Sequence, residues 1–221
     1  MNTSNFSDFY CSLEHTKNVW TPVYIFPVAQ LLIRVSQCTE VFGKNTIDLN
    51  WFTAPMVYNG RTSSLVVSGT PITRPCGVLK PADGGPAHFA PSQRLDFELE
   101  MGFFLSKPLP RGQRVRIDEA AEHIFGFVLL NDWSARDIQV FEMPPLGPFH
   151  SKGFGTSISP WIVTREALEL AYSPRATPQE PTPMPHLNWK DASRATFDIE
   201  LSVSLIRMLI QQSLAAALCH Y

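Results

Sequence analysis

Nineteen prolines and twelve glycines are scattered along 221 residues, so apolar runs are short and repeatedly broken. Proline cannot donate to a helix or sheet ladder, and both residues favour turns. Short apolar runs between such breaks predict many short strands rather than a helix bundle. Residues 64–69 (SLVVSG) read as a strand closed by a turn, and residues 94–104 (RLDFELEMGFF) as a longer strand. The unbroken apolar run at 124–130 (IFGFVLL) predicts a strand buried on both faces. Residues 158–164 and the alternating stretch 196–205 are further strands. Helical patterns are confined to short stretches at 118–123 and 137–141, with a possible helix at 207–221. Prolines at 174, 178, 181, 183 and 185 make 173–185 an extended loop. The predicted fold is mostly β, with mixed sheets and long loops.

Composition narrows the function classes. A hydrophobic content of 44% supports a globular core, and a formal net charge of −2 favours neither nucleic acid nor an anionic membrane. The four cysteines are far apart, without zinc-type spacing or a disulfide framework, which fits a reduced, cytoplasmic setting. Residues 1–12 are too polar for a secretory signal. The most apolar stretch, 23–35, is shorter than the roughly 20 residues of a membrane span.

The sharpest chemical signal is Glu98-Leu99-Glu100. Side chains two apart on a strand share a face, so both carboxylates project together, and a hard divalent cation would relieve their repulsion. A solvated sheet face is the alternative reading. Asp132 follows the apolar run, where either a site or a plain strand end is expected. Asp8 and His15 offer a ligand and a general base, or a solvated polar segment. The loop Lys152-Gly153-Phe154-Gly155-Thr156 has the makings of an anion cradle or of a plain turn, but not the full phosphate-loop pattern.

Taken in order, SDFYCSLEHTKNV, YNGRTSSLVVSGTPI, RLDFELEMGFF, HIFGFVLLNDWSARDIQ and PLGPFHSKGFGTSISPW resemble the successive signature blocks of the fumarylacetoacetase family. The most specific are NDWSARDIQ and KGFGTSISPW. The resemblance implies a mixed β-roll or sandwich and four carboxylate ligands, Asp8, Glu98, Glu100 and Asp132, for calcium or magnesium. It makes His15 the general base, Tyr10 and Gln139 substrate contacts, and Tyr58 and Arg136 pocket residues. Lys152 and Thr156 match positions tied to a second, magnesium-type site and to the oxyanion, which Lys152 and Arg136 would stabilise. The implied reaction is hydrolysis of the carbon–carbon bond of fumarylacetoacetate to fumarate and acetoacetate, the last step of tyrosine and phenylalanine breakdown. The implied assembly is a homodimer acting on a small β-diketo acid.

Several features depart from that pattern. Residues 1–205 read as a partial catalytic domain without the family's N-terminal domain, 20–40 as an atypical insert and 206–221 as a divergent tail. Val41 stands where a substrate-binding arginine is expected, and Met143 where an aromatic contact is expected. An early end would remove strands, a glutamate that orients the histidine, and a substrate-binding threonine. That predicts an incomplete fold and a chain that is poorly folded or inactive. The competing functions are an inactive fragment or pseudoenzyme, and an acylpyruvate hydrolase or oxaloacetate decarboxylase of the same superfamily.

Overall fold

The computed structural model describes residues 3–20, 23–24, 34–35, 47, 49–81, 84–175 and 179–206. Most of the expected insert at 20–40, the tail from 207 and Val41 lie outside the described residues, as does the possible helix at 207–221. The architecture is mostly β, with short helices at Leu13–Trp20, Leu49–Thr53, Arg136–Glu142 and His150–Gly153.

The apolar run is the spine of a five-stranded sheet. The strand Ile124–Asp132 pairs along its length with antiparallel Leu99–Leu105. Thr156–Ile158 opposes its C-terminal half and Val163–Thr164 its N-terminal half, both antiparallel. Leu65–Val67 adds a parallel pairing to Thr156–Ile158. The single strand expected at 158–164 is therefore two strands. Pro160 sits between them and has no N–H for the ladder.

Burial of the spine also differs from expectation. Gly126, Val128, Leu130 and Asp132 are buried, whereas Phe125 is 41% and Leu129 50% exposed. One face packs inward, while on the other Phe197 covers Phe127 at a ring distance of 5.1 Å and leaves Leu129 largely open, as an antiparallel sheet allows. An unbroken apolar run does not distinguish the two cases.

The strand expected at 94–104 breaks at Phe97 and Glu98. The Phe97 N–H donates to Asp96 Oδ1 (2.9 Å) and the Glu98 N–H to Asn131 Oδ1 (3.2 Å), so side chains replace ladder partners there. Leu95–Asp96 then pairs with Ser134–Ala135, and Leu99–Leu105 with the spine. Of the strand expected at 196–205, only Thr196–Phe197 pairs, with Tyr172–Ser173. The remainder finds no partner strand among the described residues, and alternation without a partner does not make a sheet. Cys76 is disulfide-bonded, contrary to the reading of the cysteines, while Cys11 is free and exposed.

A compact apolar cluster holds the helix Arg136–Glu142 against the hairpin Cys76–Leu79/His88–Pro91. Leu79, Ala135 and Ile138 are buried together, with Ala90 and Phe154 packed on them. A Cβ at Gly77 would stand 2.6 Å from Ile138 Cδ1, so only glycine admits the helix this closely. Asp137 ties down the start of the helix: it accepts from Ser92 Oγ (2.7 Å) and the Gln93 N–H (2.6 Å). Ile138→Ala is expected to cost about 2–5 kcal/mol, and Gly77→Ala about 1–3 kcal/mol through overpacking. Urea unfolding of each variant measures both, and a loss near zero for Ile138→Ala would contradict this packing.

Candidate active site: a buried carboxylate cluster

Three separate segments deliver one cluster of four carboxylates. Asp8 lies on the strand Ser7–Phe9, directly opposite Tyr58 on Val57–Asn59. Glu100 is the second residue of the strand beside the spine, and Glu98 sits in the break before it, where its carbonyl accepts from the Asp132 N–H (3.1 Å). Asp132 ends the spine and is 1% exposed. Each of the four carboxylates offers an oxygen, and these oxygens all lie within 4.8 Å of one another.

Two cations bracket the cluster. Glu98 receives Arg136 on Oε1 (2.7 Å) and Lys152 on Oε2. Lys152 also reaches Asp132 Oδ2 (2.8 Å), and Arg136 Nε reaches Asp96 Oδ2 (3.0 Å). Tyr58 donates to Asp8 Oδ2 (2.6 Å), with Asp132 Oδ2 at 3.2 Å, so its hydroxyl bridges two carboxylates. Thr156, facing Asp132 across the ladder, donates to Asp132 Oδ1 (3.3 Å). Gln139 accepts from Arg136 (3.2 Å) and is 8% exposed.

His15 stands at the rim. Ser12 caps its helix, accepting the His15 N–H on Oγ (3.2 Å). The imidazole Nε2 lies 3.7 Å from Glu98 Oε1, and Tyr10 meets the ring edge-on at 5.6 Å. Tyr10, His15, Glu98, Glu100, Arg136 and Gln139 all line one cleft of about 1310 Å³, whose wall also includes Met143.

The charges are unevenly relieved. Burial opposes ionisation of Glu98, but Lys152 and Arg136 outweigh it and hold its pKa at about 2. Burial and the neighbouring Asp132 push Asp8 up to about 7. Burial together with repulsion from Asp8, Glu98 and Asp132 pushes Glu100 up to about 9. Burial also lowers the His15 pKa, reinforced by Arg136 and Lys152 and only partly offset by Glu98, so the imidazole is neutral near pH 7. Burial and the adjacent carboxylates raise the Tyr58 phenol, which stays protonated. Two cations therefore do not relieve four acids, and the shortfall falls on Asp8 and Glu100, which are pushed toward the protonated form.

That donor set fits a hard divalent ion. All four groups are oxygen donors, and oxygens on opposite sides of calcium are about 4.6–5.2 Å apart. The 4.8 Å spread is compatible with a common centre.

Residues 8–205 match the family described as Fumarylacetoacetate (FAA) hydrolase C-terminal. The chain belongs to the fumarylacetoacetate hydrolase family. Over 201 residues it is 45% identical to the fumarylacetoacetase of Rattus norvegicus and 43% to that of Arabidopsis thaliana. Over 204 residues it is 45% identical to that of Dictyostelium discoideum. Each match takes 91% of this chain and 43% of the relative, so the chain spans less than half the length of these family members. A solved structure of a yeast fumarylacetoacetate hydrolase family protein is 25% identical, with a TM-score of 0.37, covering 55% of this chain and 51% of that one.

The structure thus brings together every site residue singled out in the sequence. Asp96 was not among them, although it pairs with Arg136. The alternation Asp96-Phe97-Glu98-Leu99-Glu100 carries the signal that finds it, since Asp96 shares the two-residue spacing of the glutamates.

In the metal-free protein, Asp8 and Glu100 have folded pKa values above the ordinary carboxylate range. Their contribution to stability is full below about pH 4 and is lost as the pH rises through about 7 and about 9. Glu98 acts in the opposite sense: its contribution is present above about pH 4.5 and is lost as the pH falls toward about 2. A cation entering the cluster displaces the raised protons. Calcium should therefore release protons near neutrality and raise Tm more at about pH 8.5 than at about pH 6. Calorimetry in buffers of different ionisation enthalpy checks the release. An equal Tm shift at both pH values would contradict the assignment.

Proposed function

We propose that this chain carries the site of a metal-assisted hydrolase that cleaves the carbon–carbon bond of fumarylacetoacetate, giving fumarate and acetoacetate, as in tyrosine and phenylalanine breakdown. The observation that carries this reading is the four-carboxylate cluster, of which Asp8, Glu98 and Glu100 face the same cleft as the neutral imidazole of His15. Asp8, Glu98, Glu100 and Asp132 would hold calcium or magnesium, both of which take oxygen donors. A cation bound there supplies Lewis-acid polarisation of the diketone oxygens.

The chain's own groups would do the rest. His15 accepts a proton from water, whose oxygen adds to the carbonyl carbon. The negative charge that gathers on the carbonyl oxygen is stabilised by the cations of Arg136 and Lys152. As the tetrahedral adduct collapses, the carbon–carbon bond breaks and its electron pair leaves on the acetoacetate carbon. The proton held by His15 returns to that carbon. Tyr10 and Gln139 line the cleft where substrate would lie, and Tyr58 holds Asp8 and Asp132 in place.

A second, magnesium-type ion would draw on Asp132 Oδ1 and Thr156 Oγ1. The Lys152 ammonium has no lone pair and serves as a charge rather than a ligand. We assign residues 1–205 to a partial catalytic domain of a cytoplasmic protein, with 20–40 as an atypical insert and 206–221 as a divergent tail. No helix among the described residues is long and apolar enough to cross a membrane. Half-exposed Leu129 on the spine and Val163 on the strand paired with it support a homodimer.

Met143 in the cleft wall offers no hydrogen-bond donor, which favours a second reading: an acylpyruvate hydrolase or oxaloacetate decarboxylase. Assaying fumarylacetoacetate, acylpyruvates and oxaloacetate side by side separates the two. His15→Ala should lower kcat about 10²–10⁴-fold while calcium still binds. A folded, calcium-loaded protein that turns over none of these substrates would leave a cation-binding chain without this chemistry.

A further inference from the structure

Glu142 makes a set of contacts that the proposed chemistry does not use. It closes the helix Arg136–Glu142, which presents Arg136 and Gln139 to the cleft. Its carboxylate does not face the cluster. Oε1 accepts from the backbone N–H groups of Phe149 and Ser151, both at 2.8 Å, and from the Ser151 hydroxyl. Oε2 accepts from the His150 N–H (3.2 Å). One carboxylate thus satisfies three consecutive backbone donors and the hydroxyl of Ser151, which has no exposed surface.

The next residue is Lys152. Between Glu142 and this point the chain turns through Pro144, Pro145 and Gly147, and Gly147 adopts φ +96°. Without a fastening, a loop of this kind fixes the far end of neither helix. The carboxylate joins the two: Arg136 comes from the helix that Glu142 ends, and Lys152 from the segment that Glu142 grips. Those two cations hold opposite oxygens of the same Glu98.

We propose that Glu142 is a positioning residue, fixing Lys152 relative to Arg136 so that both cations meet Glu98 at once. The inference rests on the place given to Lys152 in the proposed site, but not on turnover. Charge-assisted hydrogen bonds to backbone N–H groups are among the stronger polar contacts. Their loss loosens the approach to Lys152 from residues 149–151, while Phe154 beyond it stays packed on the cluster that also holds Ile138, and Asp137 keeps the start of the helix Arg136–Glu142 in place.

The test is the reactivity of Lys152 toward a water-soluble N-hydroxysuccinimide ester, mapped by peptide mass spectrometry in the full chain. Lys152 is 8% exposed in the folded protein, and exposed Lys80 and Lys107 are internal controls. Glu142→Ala should raise the Lys152 labelling rate roughly tenfold or more, with the control lysines unchanged. Glu142→Gln keeps one carbonyl acceptor, and Ser151→Ala removes only the hydroxyl, so each should give a smaller rise of roughly two- to fivefold. Wild-type labelling of Lys152 in both milder variants would overturn the proposal, whether or not Glu142→Ala folds. A rise shared equally by Lys80 and Lys107 would also overturn it, because it would mark general loosening. Labelling is read without substrate, so an absence of hydrolase activity leaves this result independent.

Discussion

Glu98 is gripped on one oxygen by Arg136 and on the other by Lys152, and the rest of the site is arranged around that double ion pair. The three charges come from a strand break, the helix Arg136–Glu142 and the short helix His150–Gly153, so the pair also fixes three segments against one another. Ion pairs this deeply buried are costly to form, and removing one partner typically costs about 3–5 kcal/mol. The payment makes sense if the arrangement sets charge rather than stability. Glu98 stays ionised, while Asp8 and Glu100 keep their protons in the metal-free state.

That imbalance separates two kinds of carboxylate within one cluster. Glu98 and Asp132 are already partnered by protein cations, whereas Glu100 faces other acids and Asp8 meets the Tyr58 hydroxyl and the Asp132 carboxyl. A divalent ion entering such a cluster relieves the second pair most. His15 at the rim remains a neutral base beside a permanently ionised Glu98. The charge pattern thus supports a division of labour between cation binding and proton transfer across one cleft.

Much of this was legible in the sequence, for different reasons in different places. The two-residue spacing of Glu98 and Glu100 pointed to their convergence, which the structure keeps although Glu98 lies in the break just before the strand. Asp8, Asp132 and Lys152 each stood out locally, but only the resemblance of their surrounding blocks to the fumarylacetoacetase family joined them to the glutamates, since no local rule links residues that far apart. The strand break at Phe97 and Glu98 was not legible, because it depends on Asn131 and Asp96 side chains that substitute for ladder partners. The exposure of Phe125 and Leu129 was not legible either, because an apolar run does not say whether a second layer covers it. Glu142 gives no local signal at all: its three backbone donors lie across a turn.

The central claim is that Asp8, Glu98, Glu100 and Asp132 form one cation site. Terbium luminescence tests it most directly, because Tyr58, whose hydroxyl lies 2.6 Å from Asp8 Oδ2, is placed to sensitise an ion held there. Terbium is predicted to emit on excitation of tyrosine, to be displaced by calcium, and to lose its signal in a folded Asp8→Asn/Glu100→Gln variant. Emission unchanged by that double substitution, or absent from the folded wild-type protein, would contradict the account.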